Sequence, residues 1–150
     1  MPASHTNLLY HFVFSTKERR ALVTPKLQAE LYPYIGGIVR SERGILLDIG
    51  GMPDHVHLVA RLRADTAVAD MVRLVKANSS KWANERKDLT DGFAWQAGYG
   101  AFTISQSQLP TVREYVQTQE RHHRRKTFQE ELVALLKKHG IEYDERYLWE

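Results

Sequence analysis

The chain has 150 residues, no cysteine, 43% hydrophobic and 26% charged residues, and a formal net charge of +3. These figures fit one globular domain over residues 1–150 and exclude wholesale disorder, disulfides, thiolate catalysis and cysteine-ligated metal. No apolar run approaches the ~18 residues of a membrane span.

Leu8–Ser15 (LLYHFVFS) is rich in aromatic and β-branched residues and reads as a strand, and Lys17–Arg20 follows as a basic loop. Pro25 opens a helix expected to run to about Arg43 and to stop at Gly44, with Pro33 and Gly36–Gly37 as weak points. Ile45–Ile49 reads as a second strand closed by Gly50–Gly51. His55–Leu62 (HVHLVARL) reads as a third, joined to the second by a tight turn at Pro53–Asp54. Asp65 and Thr66 are candidate caps for a helix from about Ala67 to Asn84. After a polar loop, Gly98–Ser105 reads as a fourth strand. Ser107 is the expected cap of a helix with Pro110 in its first turn, running to about Lys126. Thr127 and Glu130 form a capping box for a last helix, Phe128–His139, ended by Gly140. Tyr143, Tyr147 and Trp149 in the tail point to a docked segment.

The order β-α-β-β-α-β plus two helices predicts an α+β, ferredoxin-like antiparallel sheet with a C-terminal helical addition. The N-terminus lacks a basic-then-apolar leader, so a cytoplasmic location is expected. The charge is unevenly spread. Arg73–Lys87 carries +4 and Arg113–Lys126 carries +3, whereas Glu130–Glu150 carries −3. Clustered Lys and Arg suit a polyanion, and they equally suit solvated helix faces. The candidate contacts are Lys17, Arg19, Arg73, Lys76, Lys81, Arg121, His122, His123 and Arg124.

Two groups of residues carry chemistry. In a strand, side chains at i and i+2 share a face, so His55 and His57 project together while Val56, Leu58, Ala60 and Leu62 line the other face. Such a pair can grip a metal ion, although alone it is more often two partly exposed histidines. On the predicted third helix, Tyr115, Gln119 and His122 form one stripe. Tyr115 can attack a phosphodiester as a nucleophile. A divalent ion held by His55, His57 and the Gln119 amide oxygen would polarise the phosphate. His122 and His123 are candidates to touch DNA or to compete with Gln119 as ligand. His11 is expected on the sheet near His55, as a structural histidine. Trp82 and Trp95 read as core before they read as stacking platforms.

His55-Val56-His57 after Met52-Pro53-Asp54 resembles the HUH motif of the single-tyrosine HUH transposases, and the chain as a whole is similar to the short insertion-sequence transposases of the IS200 type. Further matching pieces are Tyr10–Lys17, Trp95-Gln96 with Gly98-Tyr99-Gly100, Tyr115–Gln119, His122-His123 and Tyr147-Leu148-Trp149. The resemblance implies an enzyme that binds single-stranded DNA at hairpin-bearing element ends. It implies that a tyrosine cuts the strand through a 5′-phosphotyrosine link, and that a 3′-OH later rejoins it. Carried over by position, Tyr115 is the nucleophile and His55, His57 and Gln119 hold Mg²⁺ or Mn²⁺, with no nucleotide cofactor. It also implies a homodimer in which the tyrosine helix of one subunit completes the histidine site of the other, hinged near Ser105–Leu109. Two alternatives stay open on sequence. One is a non-catalytic single-strand binder using Tyr10, Phe12 and Phe14 as a platform. The other is a domesticated hairpin-specific endonuclease.

Overall fold

The structure is a computed structural model and describes residues 3–149. Four strands form one antiparallel sheet: β1 (Leu8–Ser15), β2 (Ile45–Met52), β3 (His55–Leu62) and β4 (Gly100–Ile104). Their order is β2-β3-β1-β4. Helices α1 (Pro25–Ser41) and α2 (Val68–Glu85) complete the βαββαβ order. Helices α3 (Leu109–Gln117), α4 (Gln119–His122) and α5 (Phe128–Lys138) follow it. The expected fold class is therefore the observed one.

Strand alternation divides the molecule into two cores. Phe12, Phe14, Val56, Leu58 and Ala60 point to one face, where they pack against Leu27, Leu31 and Ile35 of α1 and Met71, Val72 and Val75 of α2. Leu9 and Val59 point to the opposite face and pack against Leu109 and Val116 of α3. Val13 and Phe102 meet Phe128 and Leu136 of α5 on that second face. The aromatic platform imagined for a non-catalytic binder is therefore absent, because Phe12 and Phe14 are each 2% exposed, in the core under α1 and α2.

Several local expectations are corrected. Helix α1 runs unbroken through Pro33, Gly36 and Gly37. An interior proline costs about 3 kcal/mol, but the buried stripe Leu27, Leu31, Ile35, Ile38 and Val39 holds the helix against the sheet. Asp65 and Thr66 do not cap α2, whose N-cap is Ala67. The Asp65 carboxylate is taken by Arg63 Nε at 3.1 Å. Ser107 does not cap α3 either. It lies within a 3₁₀ turn at Gln106–Gln108, its hydroxyl 3.1 Å from that of Ser105.

The expected long tyrosine helix breaks at Thr118, where φ is −110° and ψ is 31°. The Thr118 hydroxyl donates back to the Glu114 carbonyl at 2.8 Å, competing with the helical ladder and bending the chain. The capping box of α5 forms as expected, with Thr127 and Glu130 bonding reciprocally.

β2 continues through Gly50 and Gly51 instead of ending before them. Gly50 faces His57 across the sheet, and a Cβ built on it would lie 2.2 Å from the Val116 carbonyl oxygen. The missing side chain lets α3 lie directly on β2, one residue from Tyr115. Gly50→Ala must lift α3 off the sheet. We expect a loss of about 1–3 kcal/mol in stability by thermal denaturation, together with reduced activity.

Candidate active site

β3 delivers His55 and His57 to the α3/α5 face of the sheet, and both are fully buried. Each ring is held from behind. His55 Nδ1 lies 2.7 Å from Asp54 Oδ1. His57 Nδ1 lies 2.8 Å from His11 Nε2, contributed by neighbouring strand β1. Both Nε2 atoms therefore face the same point. Outer partners that fix the ring nitrogens in this way are what a metal-binding histidine pair requires.

Three further side chains close on that point. Glu131 of α5, 1% exposed, places Oε1 2.9 Å from His57 Nε2 and 3.2 Å from His55 Nε2. Gln119 places its Oε1 3.0 Å from His55 Nε2. His123 Nε2 lies 3.0 Å from Gln119 Oε1 and 3.1 Å from Glu131 Oε1, with its Nδ1 2.6 Å from the Lys126 carbonyl. The phenol of Tyr115 donates a short hydrogen bond to Glu131 Oε2, which also accepts from Gln119 Nε2 at 3.1 Å. The Tyr115 ring packs on His122, centroids 4.5 Å apart.

The electrostatics follow from this crowding. Burial would raise the Glu131 carboxyl, but hydrogen bonds from His123, His55 and His57 outweigh it and hold the group well below the usual carboxylate range. Burial would lower His55, but its bonds to Asp54 and Glu131 outweigh that and raise it to about 9. Burial lowers His57. Burial, with the His57 ring alongside, lowers His11 to about 3, so His11 is a neutral prop. Burial, then the charge of Glu131 and the bond to it, pushes the Tyr115 phenol above its ordinary value. Without a cation the tyrosine is thus kept protonated.

One donor atom from each of His55, His57 and Glu131 lies within 4.8 Å of the others. Two imidazoles and a carboxylate, with the Gln119 amide beside them, fit a divalent cation. That nitrogen content favours Mn²⁺ over Mg²⁺.

The sequence of residues 4–119 matches the profile of the family described as "Transposase IS200 like". The chain belongs to the IS200-like transposase family. It is similar to the ISDra2 transposase TnpA of Deinococcus radiodurans, 23% identical over 117 residues, covering 75% of this chain and 84% of that protein. A solved transposase structure from Deinococcus radiodurans superposes with a TM-score of 0.63 at 21% identity, covering 79% of this chain and 95% of that one. A REP-associated tyrosine transposase bound to a REP hairpin superposes with a TM-score of 0.57 at 15% identity, covering 77% of this chain and 70% of that one. Both solved structures share the fold.

In this family member the structure brings together His55, His57, Tyr115 and Gln119, as their positions in the sequence implied. His123 joins them. Glu131 was missed, and it lies beyond the matched residues 4–119. Its signal was a carboxylate on the apolar stripe of α5, between Phe128 and Leu135.

The basic residues divide. Arg19, His123 and Arg124 line one opening beside the site, together with Lys126 and Asp54. Arg121 is exposed on α4, and Lys17 is exposed just after β1. Arg73, Lys76 and Lys81 sit on α2, across the sheet from the histidines. Lys76 has a structural role, its ammonium donating to the carbonyls of Gln96 at 2.6 Å and Gly98 at 2.8 Å. Trp82 and Trp95 both pack against the core, the latter donating to Ser79 Oγ at 2.9 Å. In the tail, Trp149 lies under the Arg19 guanidinium and accepts from Gln96, while Tyr147 stays 60% exposed. No helix among the described residues is long and apolar enough to cross a membrane.

Proposed function

We propose that this chain is a metal-dependent single-stranded DNA transposase that cuts and rejoins hairpin-bearing element ends with Tyr115 as nucleophile. The observation that carries this reading is the convergence of the Tyr115 hydroxyl, two back-propped histidines and Glu131 on one point.

His55, His57 and Glu131 would hold the cation, with Gln119 and His123 at hand as further donors. Bound there, Mg²⁺ or Mn²⁺ supplies positive charge to the non-bridging phosphate oxygens and to the developing phenolate. Tyr115 Oη attacks the phosphorus and its bond to the 3′-oxygen breaks; the departing 3′-oxygen takes a proton from water, leaving a 5′-phosphotyrosine and a free 3′-OH. Glu131 Oε2 accepts the phenolic hydrogen bond and so aims Oη, but a carboxylate held so far below its usual range is a poor base, and the proton leaves to solvent water. The reverse attack by another 3′-OH restores a phosphodiester, so bond energy is conserved and no nucleotide cofactor is needed. Arg19, Arg124 and Lys126 at the neighbouring opening meet the strand as it enters.

We take Tyr115 to act on the histidines of its own chain, its ring centroid 5.8 Å from that of His57, in place of the exchanged helix implied by resemblance. Joining two ends still requires two tyrosines, and therefore two chains, each with a site built from its own residues. Mixing Tyr115→Phe protein with His57→Ala protein is expected to give no strand cleavage. Recovered cleavage would assign the tyrosine to its partner's site.

The reading is tested by incubating the protein with single strands spanning the DNA that flanks its gene, with Mn²⁺ and with EDTA. A protein–DNA adduct that survives denaturing electrophoresis is expected with Mn²⁺ and not with EDTA. Salt-sensitive binding without any adduct would replace this reading with the non-catalytic binder.

A further inference from the structure

A cleft of about 430 Å³ runs between α3 and α5 over the outer strand β4. Its floor is Phe102 and Ile104, its walls include Thr111 and Ala134, and Tyr115 and Glu131 also line it. The cleft thus adjoins the atom that attacks. Two cations, Lys126 and Lys138, also line it, both exposed. The imidazole of His139 lies flat on Phe102, centroids 4.4 Å apart and 18° from parallel; Phe102 is buried, so the flat aromatic surface left to a ligand is the exposed His139 ring, braced from behind.

We propose that this cleft is a subsite for one nucleobase of the substrate strand, that of a nucleotide adjoining the scissile phosphate. The proposal rests on the proposed function and adds what the protein reads next to the bond it breaks. Three features favour a nucleotide. For attack, the phosphorus must come within about 3–3.5 Å of the tyrosine oxygen, so the adjoining nucleotides lie within one residue's reach of this cavity. The volume falls in the range of small-ligand sites, roughly 300–1,000 Å³, and has room for a single nucleotide. Apolar and aromatic walls with cations nearby match a base that stacks and phosphates that need neutralising. A flat aromatic surface accepts any base. Discrimination among bases would fall to the polar side chains along the cleft, Thr111 among them.

The test uses the metal-free protein and ligands with no cleavable diester, so it stands apart from the adduct assay. The four deoxynucleoside 5′-monophosphates and base-free 2-deoxyribose 5-phosphate are titrated separately, and the methyl NMR signals of Ile104, Ala134 and Leu135 are followed. At least one deoxynucleotide should shift these signals and bind about tenfold more tightly than the base-free sugar phosphate. Ala134→Trp, filling the cleft from α5, and Thr111→Trp, filling it from α3, should each abolish the shifts. Equal binding of the base-free compound would reduce the cleft to an anion site and overturn the proposal. Unchanged methyl signals with all four nucleotides would overturn it too. A successful titration beside a failed adduct assay would leave a nucleotide-binding cleft and remove the transposition chemistry. The reverse result would leave the chemistry and remove the subsite.

Discussion

Replacing Tyr115 by Phe is expected to abolish the covalent adduct and to lower strand cleavage by at least about 10⁴-fold, the scale on which removal of a nucleophile acts. The substitution removes one oxygen and leaves the ring against His122. Glu131 loses one of its donors and keeps His55, His57, His123 and Gln119. Loss of one hydrogen bond to a charged group is worth about 1.5–3 kcal/mol at most, so the protein should still fold and still bind Mn²⁺. Single-strand affinity should also persist, because the basic groups at the neighbouring opening are untouched. Thermal denaturation, metal titration and gel shift on the variant check these three points. Residual cleavage near the wild-type rate would assign the nucleophile elsewhere.

Glu131 carries the second large effect. Its carboxylate is buried and meets three imidazoles, an amide and the phenol. Glu131→Ala removes a cation donor and leaves these groups without their common acceptor. Breaking a buried charged pair costs about 3–5 kcal/mol, and a drop of that order in the metal-free protein is expected from denaturant titration. Metal affinity, read by calorimetry, should fall by about 100-fold or more, beyond the 10–100-fold that even supporting residues contribute. Glu131→Gln separates the two effects. It keeps the shape and an acceptor oxygen, so it should recover much of the stability and little of the metal affinity. Full metal affinity in Glu131→Gln would leave His55, His57 and Gln119 as the sufficient set.

This second effect marks where sequence reasoning stopped. Strand periodicity was enough to place His55 and His57 on one face and Val56, Leu58 and Ala60 on the other, as the two cores show. Helical spacing was enough to pair Tyr115 with Gln119, even though the helix breaks between them at Thr118. The contacts are short-range, so a local error did not propagate. Glu131 was not legible in the same way. It reaches His57 across 74 residues of sequence through the packing of Phe128 and Leu136 on Val13 and Phe102. Its place on the apolar stripe of α5 sets it apart from its exposed neighbour Glu130, which completes the capping box, but nothing local says that it meets the histidines.

The basic segments show the same limit from the other side. Composition marked Arg73–Lys87 as a stronger charge cluster than Arg113–Lys126. The topology then put α2 behind the sheet and spent Lys76 on two loop carbonyls. Local charge density reports how many cations a segment has, and only the crossover between strands decides which face receives them. Gly50 is a similar case. As Gly50-Gly51 it read as the end of a strand, but its role is to admit the carbonyl of Val116.

The most direct measurement of the central claim is peptide mapping of the covalent product by mass spectrometry. Wild-type protein is reacted with a hairpin-bearing single strand in Mn²⁺, digested with nuclease and protease, and searched for a nucleotide-bearing peptide. The account predicts one modified side chain, Tyr115, linked through a 5′-phosphate. A nucleotide mapped to any other tyrosine, or a 3′-phosphate link, would contradict it.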